Sequence, residues 1–207
     1  MRTEILSTGS PDAIACANRI LREGGLVAFP TDTVYGIGSM AFNQVAIESI
    51  YVVKERPPDK AIPVLIADER DLDEVVKTVT RLARRLVSSF WPGPITLVLP
   101  KRVELPPGIS ATSTVGVRIP NHDIARALFR LAGPMAVTSA NISGQESPCT
   151  AEEVLRQLSG RIPLILDGGK TPGGIPSTVV DASGHEPILI REGPISFQKI
   201  KTILLTG

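Results

Sequence analysis

Short apolar runs rich in valine and isoleucine recur along the chain, and the stretches between them carry apolar residues at three- and four-residue spacing. β-branched runs of that length suit buried strands, while the longer period turns one helical face towards a core, so the alternation restricts the chain to an α/β fold. The pattern predicts helices over residues 11–23, 44–53, 80–89, 124–131, 151–158 and 196–204. It predicts strands over 26–29, 62–66, 95–99, 115–119, 135–138, 164–166, 178–181 and 188–190. Ser10 is the expected cap of the first helix, with Pro11 at its first position and Gly24 and Gly25 stopping it. His122 is expected to cap the helix that begins beside Asp123.

With 207 residues, 43% of them hydrophobic, the chain can bury roughly 70% of its unfolded surface. One core suffices, and a single domain over residues 1–207 is expected. Its 22 basic and 21 acidic residues nearly cancel, which excludes a polycation that coats nucleic acid and makes any basic site local. Cys16 and Cys149 lie far apart and only His122 and His185 accompany them, so neither a disulfide framework nor a zinc site is expected. The first ten residues lack the apolar run of a signal peptide, and no stretch approaches the ~18 apolar residues of a membrane span. A cytoplasmic protein without membrane contact is the resulting expectation.

Two glycine-rich stretches imitate nucleotide-binding loops and fail on inspection. Gly169-Lys170-Thr171 ends like a phosphate loop, but its first glycine would fall on Leu164, and Pro172 to Pro176 follow where a helix is needed. Gly36-Ile37-Gly38 lies well past the predicted strand rather than in a tight strand-to-helix turn, which speaks against a dinucleotide fingerprint. No GxSxG is present, and nothing places either histidine beside Ser139 as in a hydrolase triad.

Other segments offer chemistry. In Lys54-Glu55-Arg56-Pro57-Pro58-Asp59-Lys60 the prolines hold the chain extended, so Lys54 and Arg56, two apart, can face one side and grip a polyphosphate. A solvated basic turn explains this segment equally well. Thr138-Ser139-Ala140-Asn141-Ile142-Ser143-Gly144 gathers hydroxyl and amide groups at the carboxyl end of a predicted strand, where ligands of open α/β sheets collect. Pro30 to Gly36, with Thr33 and Tyr35, offers hydroxyls in the same way, and Ser177 and Arg191 add a hydroxyl and a cation beside later strands. Arg118 sits inside an apolar strand, which is costly unless it meets an anion from substrate or protein. Eighteen prolines and eighteen glycines cluster in connections such as 92–94, 106–108 and 168–176, as expected of stiff loops around a site, although each alone reads as a surface turn.

Taken in order, PTDTVYGIG, KERPPDK, FWPGPITLVL, TVGVRIP, TSANISG, PSTVVD and IREG resemble the YrdC-like family of threonylcarbamoyl-AMP synthases, over residues 26–193. The resemblance implies a twisted open mixed sheet with flanking helices around a basic cavity. It implies condensation of L-threonine, bicarbonate and ATP into threonylcarbamoyl-AMP and pyrophosphate, with Mg²⁺ accompanying the ATP. It also implies hand-off to a transferase that modifies tRNA, and a contact with tRNA. By similarity, Lys54, Arg56 and Lys60 fall on triphosphate contacts, Ser139 and Asn141 lie at the nucleotide, and Thr114, Ser147 and Arg191 match further nucleotide positions. Thr33, Arg118, Val137 and Ser177 match the threonine pocket, with Tyr35 on its wall. The chain departs from the pattern at Ala61, where many members have proline, and near Leu65, where some have histidine. Some relatives add a second domain, so any closure over the site must come from elsewhere.

The expected chemistry needs no protein nucleophile: threonine and bicarbonate give an N-carboxy-threonine whose carboxylate attacks the α-phosphate, and Lys54 and Arg56 stabilise charge on the phosphates. Two rivals stand beside it. One is a paralogue using another carbamoyl acceptor; the other is an RNA-binding module without ATP chemistry, against which near-neutral charge and few aromatic residues argue.

Overall fold

The computed structural model describes residues 2–205; Met1 and residues 206–207 of the expected domain lie outside the described residues. In chain order the elements are strand β1 (Glu4–Ser7), helix α1 (Ala13–Arg22), β2 (Val27–Phe29), β3 (Gly36–Met40), α2 (Gln44–Lys54), β4 (Val64–Leu65), a 3₁₀ turn (Glu69–Asp71) running into the short α3 (Leu72–Val75), α4 (Arg81–Phe90) and β5 (Ile95–Pro100). There follow β6 (Thr114–Arg118), α5 (Asp123–Ala132), β7 (Met135–Ser139), α6 (Ala151–Leu158), β8 (Leu164–Asp167), β9 (Thr178–Asp181), β10 (Ile188–Arg191) and α7 (Phe197–Leu205).

Local chemistry explains where the helices begin. Thr80 accepts from the Ala83 amide and Asn43 from the Ala46 amide, while Thr150 and Glu153 form a reciprocal capping box. His122 accepts from the Ala125 amide at 3.4 Å, the capping role expected of it. The first helix corrects its expectation: Ser10 and Pro11 lie in a turn, Asp12 occupies the cap position without a side-chain cap bond, and helical structure begins at Ala13.

The strands form one ten-stranded open mixed sheet in the order β1-β8-β2-β3-β7-β4-β6-β5-β9-β10. Helices α1 and α5 pack on one face, where Ala17 and Leu21 meet a layer containing Leu128 and Phe129; Phe29 and Phe129 touch edge to face at 5.5 Å. The opposite face carries the larger core, with Ile47 and Ile50 of α2, Leu86 of α4, Val154 of α6 and Ile200 of α7. Buried positions of α4 fall at Leu82, Ala83, Leu86, Val87 and Phe90, the single apolar stripe that the sequence periodicity requires.

Three elements escaped the sequence pattern: β1, the turn with α3, and β3. β3 begins Gly-Ile-Gly, a composition poor in strand formers, yet it pairs antiparallel with both β2 and β7. Close packing explains the glycines. A Cβ on Gly38 would stand 2.7 Å from the Ala136 carbonyl, and one on Gly36 2.8 Å from Val137 Cγ1. The predicted strand over 62–66 shortens to Val64–Leu65, tied parallel to β6 and antiparallel to β7.

Candidate functional site

The alternation of side chains along neighbouring strands creates the site. Thr114, Gly116 and Arg118 of β6, Thr96 and Val98 of β5, Val137 and Ser139 of β7 and Val179 of β9 all present the same face, and together they line a cavity of about 460 Å³. That volume falls in the range of small-ligand sites. Loops close its sides: Thr31 to Gly36 after β2, Arg56 to Ala61 after α2, Ser110 to Thr112 before β6, and Pro176 and Ser177 before β9, with Arg191 ending β10. The site therefore lies against a sheet face as well as at strand ends, because Gly36 and Gly116 contribute no side chains to fill it.

Of the residues singled out in the sequence, the structure brings Thr33, Tyr35, Arg56, Thr114, Arg118, Val137, Ser139, Ser177 and Arg191 into this one lining. Arg56, Ser139 and Arg191 are 52 or more positions apart in pairs yet share the cavity. Lys54, Lys60, Asn141 and Ser147 lie outside the lining.

The guanidiniums differ in how they are held. Arg118 is almost wholly buried, with Nη2 on Asp32, Nη1 donating to Thr33 Oγ1 at 3.1 Å and Nε to the Gly93 carbonyl at 3.0 Å. The protein itself thus supplies the anion that a buried arginine in this strand demands, and the other Asp32 oxygen, Oδ2, is buried without a partner among the described residues. Arg56 and Arg191 have no carboxylate within ion-pair distance among the described residues. Arg56 donates to the Lys60 carbonyl at 3.1 Å and the Ala61 carbonyl at 2.7 Å, and Arg191 donates from Nε and Nη2 to the Ser177 carbonyl at 3.1 and 2.8 Å. Partial burial lowers both pKa values, and the Arg56 charge adds to the lowering at Arg191. Such a pair of mutually repelling cations favours an anion between them. Asp59 is the one carboxylate in the lining, set against three arginines.

Hydroxyl groups are organised into short chains. Thr31 Oγ1 lies 3.0 Å from Thr33 Oγ1 and donates to the Val34 carbonyl at 2.7 Å; Thr96 and Ser177 hydroxyls lie 2.8 Å apart; Ser110, Thr112 and Thr114 follow at 2.9 and 3.0 Å. Thr31, from the hydroxyl-bearing segment Pro30 to Gly36, lines the cavity, as do Thr96, Ser110 and Thr112, which the sequence reading did not single out. The signal was there in Thr96, a lone hydroxyl in the apolar run Ile95–Pro100. Tyr35 forms part of the wall, but its hydroxyl turns away, donating to the Gly169 carbonyl at 2.8 Å and accepting from the Gly168 amide at 3.2 Å. Burial pushes its pKa up to about 12, so it stays protonated.

Lys54 corrects a sequence expectation most sharply. It ends α2 with 1% of its surface exposed, and its ammonium donates to the backbone carbonyls of Ser139 and Asn141 rather than facing the cavity. Burial, followed by repulsion from Arg56, brings its pKa down to about 7.

No group of three or more His, Cys, Asp or Glu residues among the described residues could hold a metal ion. Mg²⁺ commonly binds through one or two carboxylates together with substrate phosphates. Asp59 fits that manner of binding and a closed protein cage does not. No helix among the described residues is long and apolar enough to cross a membrane.

Comparison with known proteins shows the family of the chain. The Sua5/YciO/YrdC family model, which carries the description telomere recombination, matches residues 19–193. The threonylcarbamoyl-AMP synthase of Bacillus subtilis is 43% identical over 98% of this chain and 59% of its own length. The crystal structure of P. abyssi Sua5 complexed with L-threonine superposes with a TM-score of 0.94 at 40% identity, over 98% of this chain and 61% of that one. The E. coli YciO structure superposes at 0.87 with 28% identity, over 96% of this chain and 99% of its own. The chain thus spans about three fifths of the first two relatives and nearly all of the third.

Proposed function

Because this chain belongs to the Sua5/YciO/YrdC family, we propose that it is a threonylcarbamoyl-AMP synthase, joining L-threonine, bicarbonate and ATP with release of pyrophosphate. The observation that carries the reading is the cavity in which Arg56 and Arg191, without carboxylate partners among the described residues, face a hydroxyl-lined wall that ends at buried Arg118. Arg56, Arg191, Ser139 and Thr114 form the triphosphate end. Thr33, Ser177, Val137 and Arg118 form the amino-acid end, with Tyr35 as wall. Lys60, Asn141 and Ser147, outside the lining, complete the proposed set of nucleotide contacts.

In this scheme the threonine amine takes up bicarbonate with loss of water, and the resulting N-carboxylate attacks the α-phosphate in line with the departing pyrophosphate. The protein contributes orientation and fixed positive charge at the oxygens that gain charge, with no covalent intermediate. Mg²⁺ would arrive on the triphosphate and neutralise part of its charge, with Asp59 as the available carboxylate. The product passes to a tRNA-modifying threonylcarbamoyl transferase, with tRNA reached through that partner. The protein works in the cytoplasm.

Incubation with ATP, Mg²⁺, threonine and labelled bicarbonate tests the reading. A labelled adenylate and equimolar pyrophosphate, both absent when threonine is omitted, are the expected products. Pyrophosphate release that ignores threonine would assign the cavity to another acceptor. Salt-sensitive RNA binding without any pyrophosphate would leave only a binding module.

A further inference from the structure

Lys54 is a long cation that lies outside the cavity lining. Its ammonium donates to the carbonyls of Ser139 and Asn141, and its own carbonyl accepts from the Ser143 amide at 2.8 Å. One residue at the end of α2 therefore holds three alternate positions of the segment that follows β7. Other contacts fix it as well: Ser139 pairs with Gly36 of β3, and the Ile142 amide donates to Gln157 Oε1 at 2.9 Å. Ala140 N donates to the Tyr35 carbonyl at 2.8 Å, and Asn141 Nδ2 donates within the same turn to the Ile142 and Gln145 carbonyls, leaving its Oδ1 buried without a partner among the described residues.

We infer that Lys54 is a positioning residue for the proposed reaction, anchoring the 139–143 segment whose Ser139 the alternation of β7 turns to the cavity, and not a ligand of the triphosphate. The chemistry favours this assignment. Two carbonyl oxygens buried at one point need a donor, and an ammonium supplies several from one atom. Removing it leaves both carbonyls unsatisfied, which costs more than the bonds themselves contribute. Arg56, two residues on, lies past the helix end where Glu55 adopts φ 52°. The same helix terminus therefore pins the hydroxyl-bearing segment inside and delivers the Arg56 guanidinium to the cavity.

Lys54→Met tests the inference, since it removes the ammonium and keeps a flexible unbranched stem. Amide hydrogen exchange of the full chain reads the segment directly. The Ala140 and Ser143 amides should exchange at least ~10-fold faster in the variant, while amides in the β3–β7 ladder keep their rates. Unchanged exchange at Ala140 and Ser143 overturns the inference. Turnover reads the coupling. K54M should lower kcat by roughly 10²-fold in the wild-type background and by less than ~3-fold in a Ser139→Ala background, because the loss acts through Ser139. Equal losses in both backgrounds would make Lys54 an independent contact and overturn it. If K54M does not fold, Ser143→Pro cuts the other tether and leaves the ammonium in place. Faster exchange at Ala140 and the same non-additivity with Ser139→Ala are then expected, and wild-type exchange overturns the inference. The turnover readout rests on the proposed synthase reading, whereas the exchange readout does not. A wild type that releases no pyrophosphate would defeat that reading, and exchange would still decide the role of Lys54.

Discussion

Asp32→Ala would strand the most deeply buried charge of the cavity. The side chains of Arg118 and Asp32 are 6% and 11% exposed, so neither charge is relieved by solvent when its partner is removed. Breaking a buried pair from one side costs about 3–5 kcal/mol. The lower end applies here, because Arg118 keeps its bonds to the Gly93 carbonyl and Thr33 hydroxyl and because Asp32 already has one oxygen without a partner among the described residues. A loss of about 3 kcal/mol in a chain of this size lowers the melting temperature by roughly 6–12 °C. Calorimetric melting at neutral pH checks the value. The double variant Asp32→Leu, Arg118→Met removes both charges, and its stability should return to within about 1.5 kcal/mol of wild type. A single variant melting within about 2 °C of wild type, or a double variant as unstable as the single, would refute the view that the carboxylate is there to neutralise Arg118.

Arg56→Ala should leave stability within about 1 kcal/mol of wild type, since the side chain makes hydrogen bonds to the neutral Lys60 and Ala61 carbonyls and no ion pair among the described residues, and should lower adenylate formation about 10²-fold; a steady-state assay beside a melting curve separates the two effects. Asp68, bridged to Arg130 at 2.9 Å and Arg126 at 2.6 Å, has its pKa lowered to about 2, mainly by the Arg130 and Arg126 hydrogen bonds. Because the folded value lies below the unfolded one of about 4, its contribution is complete above about pH 4 and disappears as pH falls through about 2. Urea titrations should therefore show Asp68→Asn less stable than wild type by about 1 kcal/mol at pH 6, with the gap closing near pH 2; a gap that does not change with pH contradicts the assignment. Gly193→Ala places a Cβ 2.4 Å from the Thr178 amide nitrogen and 2.5 Å from the Pro176 carbonyl. A loss of about 2 kcal/mol and impaired threonine binding through displaced Ser177 are expected, measurable by melting and by titration with threonine.

Much of the fold was legible because its helices carry strong periodic stripes and side-chain caps. The Leu82 to Phe90 stripe, the Thr150–Glu153 box and the His122 cap all act locally and can be read locally. β3 was illegible because what makes Gly36-Ile37-Gly38 a strand is the approach of β7, a contact across a hundred residues that leaves no trace in local composition. β1 depends in the same way on pairing with β8 near the other end of the chain. At the site, residue types were legible and their directions were not. Arg118 in an apolar strand announced a buried anion, and Asp32 supplied it. Lys54 and Arg56, two apart in a basic segment, looked equivalent. The αL turn at Glu55 separates them, sending one inward to backbone carbonyls and the other to the cavity.

Calorimetric titration of the wild-type chain with a non-hydrolysable ATP analogue, and then with threonine while the analogue is bound, tests convergence on one cavity most directly. One site for each ligand, simultaneous occupancy, and loss of analogue binding in each of Arg56→Ala, Ser139→Ala and Arg191→Ala are the predicted results. Threonine displacing the analogue, or three variants that bind it as wild type does, would contradict the account.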